Sequence, residues 1–341
     1  MGVDLGKLVD PEEIEFADLN DTVLAIDAMN TLYQFLSIIR QRDGTPLKDS
    51  DGNVTSHLSG LFYRSINLLD NNIRPVYVFD GDMPDLKEKE SSRRRKKREE
   101  AREEWNKLKQ EGKISEAYSK ATQSSKITGD MVEESKDLLE SMGLPYVEAP
   151  SEGEAQAARM ASEGEVHAVG SHDWDCVLFG ASRMVRNLTT RKQRKTSSGG
   201  TKEISVEQIE LEKVLEQLDV SREKLVWMGI LMGTDFNPDG VHGIGPKTAL
   251  KLARKHEGFR QLLEDEKLSG AEFQNDPEVI RDFFMDPPTE KVEFEFSQPE
   301  EDGIQRMLAE EHGFSEERVS SGISKLERSL ESRQPGLDSF V

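Results

Sequence analysis

The chain has 341 residues and a formal net charge of −21, long enough for one large α/β domain or two smaller ones. Its single cysteine, Cys176, excludes an intramolecular disulfide and a cysteine-cluster zinc site. No apolar run approaches the roughly 20 residues of a membrane helix, and the opening MGVDLGKLVDPEEIEF lacks the apolar core of a signal peptide, so a soluble intracellular protein is expected.

Residues 22–26 (TVLAI) predict a buried strand that ends on Asp27. Residues 30–40 predict a helix with Leu32, Phe35, Leu36 and Ile39 on one face, and the Gly-, Asp- and Pro-rich residues 43–53 predict a loop. Residues 58–71 predict a second helix, with Leu61, Phe62, Ile66 and Leu69 inward and Arg64 on a flank. Residues 74–79 (RPVYVF) predict the second strand, ending at Asp80-Gly81.

Charge is placed unevenly beyond this strand. Residues 86–113 hold twelve Lys or Arg against seven Glu and include the run RRRKKR at 93–98. A solvated helix laced with i, i+4 pairs is the ordinary reading of such a run. Its start seven residues after Asp80 supports a second reading, a basic helix that draws a phosphate backbone toward nearby carboxylates. Residues 189–202 add Arg191, Lys192, Arg194, Lys195 and Lys202 with no acid. An acidic body with basic stretches suits an anionic ligand held at one face.

The organising stretch is residues 144–180, LPYVEAPSEGEAQAARMASEGEVHAVGSHDWDCVLFG. Two acid pairs at i, i+2 spacing, Glu152/Glu154 and Asp173/Asp175, each follow a short β-leaning run, 144–147 and 166–170. The Ala-rich residues 155–162 between them predict a helix. Strand, helix, strand predicts a parallel βαβ unit with both carboxyl ends on one sheet edge. Four converging acids repel unless cations sit among them, and oxygen-only ligands suit Mg²⁺ or Mn²⁺. Acids after strands also cap helices. Two pairs on consecutive strands favour the metal site.

Beyond it, residues 182–188 predict a strand and 207–218 an acidic amphipathic helix. Residues 224–232 are apolar and end in Gly233-Thr234-Asp235, a seventh acid behind a hydrophobic run. In GVHGIGPKTALKL (240–252) the outer glycines are spaced as in a P-loop, but Pro246 stands where that motif needs Gly before Lys. Gly243, Gly245 and Lys247 fit a helix–hairpin–helix that grips phosphate through backbone N–H groups, or a plain glycine-rich connection. The six histidines show no metal-ligand spacing, and no Ser or Thr has a partnered base. Residues 291–296 (KVEFEF) predict a strand and 315–330 a helix. The closing QPGLDSFV sets Gln334, Leu337 and Phe340 at i, i+3, i+6, a one-turn apolar anchor for a partner.

Taken in order, MGVDLGKL, AIDAMNTLYQFL, TSHLSGLFYR, PVYVFDG, APSEGEA, HDWDCVLFG, GTDFN, GIGPKTAL and QPGLDSFV make the chain resemble the flap endonucleases of the structure-specific 5′-nuclease superfamily over nearly its whole length. Its length and its ending resemble archaeal members. The resemblance implies an α/β fold: a mostly parallel central sheet flanked by helices, with a helical arch and a helix–hairpin–helix (H2TH-like) DNA-binding element. It divides the chain into an N-terminal nuclease region (1–98), the arch (99–128, rooted near Lys87), an internal nuclease region with the hairpin (129–258), a C-terminal region (259–329) and a clamp-binding tail (330–341).

The same resemblance implies that Asp27, Asp80, Glu152, Glu154, Asp173, Asp175 and Asp235 hold two Mg²⁺ or Mn²⁺ ions, directly or through water, and that Lys87 and Arg94 reach the scissile phosphate. It implies Tyr33 stacking on the terminal base, DNA contacts at Arg40, Arg64, Glu152, Gly233 and Asp235, and a K⁺ ion at the hairpin of Gly243, Gly245 and Lys247. Arg191 and Lys192 are assigned to phosphate tracking. Partners are flap or nicked DNA and, through Gln334, Leu337 and Phe340, the sliding clamp (PCNA), with no membrane; the setting is an archaeal cytoplasm, or a nucleus in a eukaryote. The chain departs from the family in having Gly153 for Ala, Asp82 beside Asp80, and Phe340-Val341 for an aromatic pair. The expected activity is Mg²⁺-dependent 5′ flap endonuclease and 5′–3′ exonuclease cleavage in replication and repair. A weakly catalytic junction scaffold and a general 5′ exonuclease or RNA-processing relative are the alternatives.

Overall fold

The structure, a computed structural model, describes residues 5–331 apart from 42, 112, 114–119, 123, 189–192, 196–200 and 204. Strands β1 (Glu12–Ile14), β2 (Thr22–Asp27), β3 (Ile73–Phe79), β4 (Tyr146–Glu148), β5 (Ala168–Gly170) and β6 (Arg183–Arg186) join β9 (Val206–Glu210) in a seven-stranded sheet ordered β1-β9-β6-β5-β2-β3-β4. A separate pair, β7 (Gln193–Lys195) and β8 (Thr201–Glu203), falls within the basic stretch. The five strands from β6 to β4 are mutually parallel, and β9 runs antiparallel between β6 and β1.

Among the described residues the principal α-helices are α1 (Ala28–Ile38), α2 (Ser56–Asp70), α3 (Glu88–Gln110), α4 (Gly129–Ser141), α5 (Gly153–Ser162), α6 (Asp175–Leu178), α7 (Leu211–Leu218), α8 (Arg222–Met232), α9 (Pro246–Lys255), α10 (Phe259–Leu263), α11 (Pro277–Met285), α12 (Glu301–Gln305) and α13 (Glu316–Glu331). They cover both faces of the sheet, which is why its central strands are apolar throughout rather than alternating with polar residues. Leu24, Ile26, Tyr77 and Phe79 point into the layer shared with Leu32, Phe62, Leu138 and Ile323. Ala25, Val76, Val78 and Val169 point into the opposite layer, with Ala157, Trp227, Leu231 and Leu252.

The chain leaves β2 for β3 and then β4 on one side and returns to β5 on the other side of β2. The switch point lies between β2 and β5, where Ile26 pairs with both Tyr77 and Gly170. Open parallel sheets present their ligand crevice at this place, outside the carboxyl ends of the strands.

Two predicted elements differ. Residues 206–210 are strand β9, not the first turn of a helix, and only Leu211–Leu218 is helical. The apolar positions Val206, Ile209, Val214 and Leu218 have near-helical spacing, but β6 is left with an open edge that takes Ile209 opposite Met184. Residues 291–296 join no strand. Their period-2 pattern does mark extended chain: Val292, Phe294 and Phe296 pack on the core. Gln156 holds the approach to this run at Glu290 through Nε2–H···O (2.8 Å) and N–H···Oε1 (2.9 Å), and Ser297 N–H reaches Gly143 O at 3.0 Å. A side-chain amide stands where a neighbouring strand would be.

Candidate metal and nucleic-acid site

Each parallel strand from β2 to β5 delivers an acid to the same edge. Asp27 is the last residue of β2, Asp80 follows β3, Glu152 and Glu154 follow β4, and Asp173 and Asp175 follow β5. Asp27 also caps α1, its Oδ1 accepting Asn30 N–H at 2.9 Å. Oδ1 of Asp80 accepts Gly153 N–H at 2.8 Å, tying β3 to the start of α5. A methyl group on Gly153 would stand 2.9 Å from that oxygen, so glycine leaves Asp80 unhindered. Glu152 makes no side-chain cap to α5, so helix capping does not account for it.

Ser171 links two of the acids. Its hydroxyl donates to Asp27 Oδ2 (3.2 Å) and accepts Asp173 N–H (3.1 Å), and Asp173 Oδ1 accepts Asp175 N–H at 3.3 Å. Asp235 arrives from the other direction, on a tight turn after α8 in which Thr234 and Asn237 exchange backbone hydrogen bonds of 3.2 and 3.1 Å. Gly233 makes that turn possible: its φ is 113°, and a Cβ there would lie 2.9 Å from Pro238 O. Buried Phe236, packed on Phe283 and Phe284, anchors it from below.

The charges are not balanced within the carboxylate set. Burial and the neighbouring Asp80 push Asp27 up to about 7. Burial, with Asp173, Asp27 and Asp175 around it, holds Glu154 well above the usual carboxylate range. Such shifts mark like charges forced together in a poorly solvated place. They fit a divalent cation, as does a donor set made of oxygen alone. Among the described residues no three of these carboxylates already close on one point as ligands of a single ion.

Two cations lean over the cluster from the root of α3. Lys87 Nζ lies 2.5 Å from Glu152 Oε2 and 3.5 Å from Asp235 Oδ2. Burial alone would lower its pKa, but Glu152, Asp235 and Asp80 together raise it. Arg94 donates through Nη2 to Asp235 and through Nε to Glu90 at 2.9 Å. Burial works to raise Asp235, yet Lys87 and Arg94 bring it below its ordinary value. The carboxylates therefore fall into two overlapping sets. Asp27, Glu154, Asp173 and Asp175 repel one another, Glu152 and Asp235 share Lys87, and Asp80 acts on both.

Other expected residues lie around this centre. Tyr33 on α1 is 40% exposed. Arg64 is on α2. Arg40 is engaged within the protein, donating to Gly44 O and Ser125 Oγ at 2.6 Å each and tying the 41–46 loop to the foot of the basic segment. Gly243 and Gly245 have nothing within 4 Å of a would-be Cβ, so the backbone there faces open space before Pro246 starts α9. Lys247, on the first turn of α9, is exposed. Arg191, Lys192, Gln334, Leu337 and Phe340 lie outside the described residues. The sequence alone does not single out Ser171 and Glu90, although the i, i+4 spacing of Glu90 and Arg94 is a readable helix-pair signal.

Two family models match the chain: the XPG N-terminal domain over residues 2–101 and the XPG I-region over residues 143–235. Flap endonuclease 1 of Pyrococcus furiosus is 47% identical, over 100% of this chain and 99% of the relative. The solved structure of flap endonuclease-1 from Methanococcus jannaschii superposes with a TM-score of 0.77 at 39% identity, covering 98% of this chain and 100% of the other. The catalytic core of Rad2 in complex with DNA substrate superposes with a TM-score of 0.67 at 25% identity, covering 94% and 97%. The fold and site define a carboxylate-rich nuclease of the α/β class. The chain belongs to the flap endonuclease family.

Proposed function

We propose that the chain is a structure-specific 5′ flap endonuclease with 5′–3′ exonuclease activity, acting on DNA phosphodiester bonds at junctions of single and double strand. The observation that carries this reading is the convergence of seven acids from four strand ends and the α8 turn, beneath Lys87 and Arg94. Asp27, Asp80, Glu152, Glu154, Asp173, Asp175 and Asp235 hold two Mg²⁺ ions, with Mn²⁺ as the substitute their oxygen donors accept. Bound there, such ions supply an activated water and stabilise the departing 3′ oxygen. Lys87 and Arg94 offset the charge that develops on the phosphoryl oxygens.

The remaining residues hold the substrate. Tyr33 stacks on the terminal base, Arg40, Arg64, Glu152, Gly233 and Asp235 contact the DNA, and Arg191 and Lys192 track phosphates. The α8–α9 hairpin grips the duplex backbone through the amides of Gly243 and Gly245 and through Lys247, with a K⁺ ion as its counter-charge. Residues 99–128, rooted on α3, form the arch between the nuclease regions 1–98 and 129–258; 259–329 is the C-terminal region, and the tail 330–341 carries Gln334, Leu337 and Phe340 to a sliding clamp. Among the described residues no helix is long and apolar enough to cross a membrane. The likeness to archaeal relatives supports DNA work in replication and repair in an archaeal cytoplasm. Incubation with labelled double-flap DNA, blunt duplex and an RNA counterpart, with and without Mg²⁺, tests the reading. Incision confined to the flap junction and to Mg²⁺ supports it. Preferred cutting of blunt duplex or RNA favours a general exonuclease or RNA-processing enzyme.

A further inference from the structure

Glu90 is an acid on a basic, solvent-facing helix, yet it is only 4% exposed. Both its oxygens are used: Oε1 accepts Arg94 Nε–H at 2.9 Å and Oε2 accepts Arg93 Nε–H at 2.6 Å. A carboxylate buried at this depth is tolerable only when paired and hydrogen-bonded, and two guanidinium groups meet that condition. The two arginines then diverge. Arg93 goes on to Asp239 at 2.6 Å, and Arg94 goes on to Asp235 at the carboxylate cluster.

We propose that Glu90 is a positioning residue for cleavage, holding the Nε edge of Arg94 so that its outer nitrogens stay over Asp235 and the scissile phosphate. This rests on the assignment of Arg94 above. Without Glu90 the guanidinium keeps one carboxylate partner, Asp235, and folds down onto an acid expected to face a metal ion. With Glu90 in place, Arg94 stays anchored when Asp235 turns to an ion, and its free N–H groups remain directed at substrate. Anchorage of one planar guanidinium at two edges, Nε on Glu90 and Nη2 on Asp235, fixes its direction as well as its distance.

The test is single-turnover cleavage of a double-flap substrate, with binding titrations, for Glu90→Ala, Glu90→Gln, Arg94→Ala, Arg93→Ala and the doubles Glu90→Ala/Arg94→Ala and Glu90→Ala/Arg93→Ala. Loss of Glu90 should slow cleavage about tenfold, as expected for a group acting through another, and leave flap affinity nearly unchanged. The Gln variant, which keeps the size and removes the charge, should behave like the Ala variant. In the Arg94→Ala background the loss of Glu90 should cost nothing further, while in the Arg93→Ala background it should cost the full factor. Multiplicative losses with Arg94→Ala overturn the proposal, and so does silence in the Arg93→Ala background, which would make Glu90 a mere anchor of α3 to Asp239. A wild-type rate for Arg94→Ala alone would instead remove the catalytic assignment of Arg94, and the proposal with it.

Discussion

The ammonium of Lys87 lies 2.5 Å from the Glu152 carboxylate, so a side chain from the root of α3 already occupies part of the space the acids enclose. A cation in that position competes with divalent ions for the same oxygens and helps to stabilise the metal-free protein. Lys87→Ala should therefore bind Mg²⁺ more tightly in calorimetric titration. It should also slow single-turnover incision by roughly a hundredfold or more, on the order of 3 kcal/mol, as for other lost transition-state cations. Flap affinity should be largely kept. Arg191→Ala, by contrast, should weaken binding and flatten its salt dependence by about one unit of slope. A normal incision rate for Lys87→Ala with only a shifted binding constant contradicts its catalytic role.

Asp175 is 2% exposed and is one of the charges that raise Glu154. Asp175→Asn relieves repulsion in the metal-free protein, so its melting temperature without Mg²⁺ should hold or rise. Cleavage should be abolished while flap binding remains. Wild-type rates at saturating Mg²⁺ would remove Asp175 from the ligand set.

Asp27 stands at about 7 in the fold against 3.8 in the open chain. The folded state thus binds this proton more tightly than the unfolded state. The stability of the metal-free protein should fall as pH rises between about 4 and about 7, and Glu154 contributes with the same sign. Thermal melts in EDTA across that range measure the slope, which Asp27→Asn should make shallower. Mg²⁺ competes with protons for the same carboxylates. Cleavage at low Mg²⁺ should rise with pH through about 7, and added Mg²⁺ should move that rise to lower pH.

Much of this arrangement is legible in the sequence. Buried strands announce themselves when both faces are covered, as 22–26 and 74–79 do, and an acid after a strand end is a spacing signal that picks out six of the carboxylates brought to this edge, whereas Asp235 follows an apolar helix. Strand β9 escapes such a reading because Val206 and Ile209 are three apart, and only the open edge of β6 decides that they pair rather than coil. The unpaired course of 291–296 depends on Gln156, which is distant in sequence. Ser171 escapes for a related reason: its bond to Asp27 joins side chains far apart in sequence and leaves no periodic trace. Glu90 is spaced i, i+4 from Arg94, but that spacing does not tell it from the other acids of the charged run. The inward engagement of Arg40 with Gly44 and Ser125 is equally invisible.

The tail offers a separate test. Phe340→Ala should weaken binding to the organism's sliding clamp and leave clamp-free flap cleavage unchanged. With valine in place of a second aromatic, wild-type affinity should be micromolar or weaker, about −8 kcal/mol at most in magnitude. If deletion of residues 334–341 leaves clamp binding intact in calorimetry, the tail is not the docking element.

The most direct test of the central claim, that seven converging carboxylates hold the ions that cleave flap DNA, is the single-turnover incision rate of a labelled double-flap substrate as a function of Mg²⁺ concentration. The account predicts no incision in EDTA, a rate that rises more steeply than first order at low Mg²⁺ as two ions are taken up, and a single cut at the junction. Incision at an undiminished rate in EDTA would contradict it.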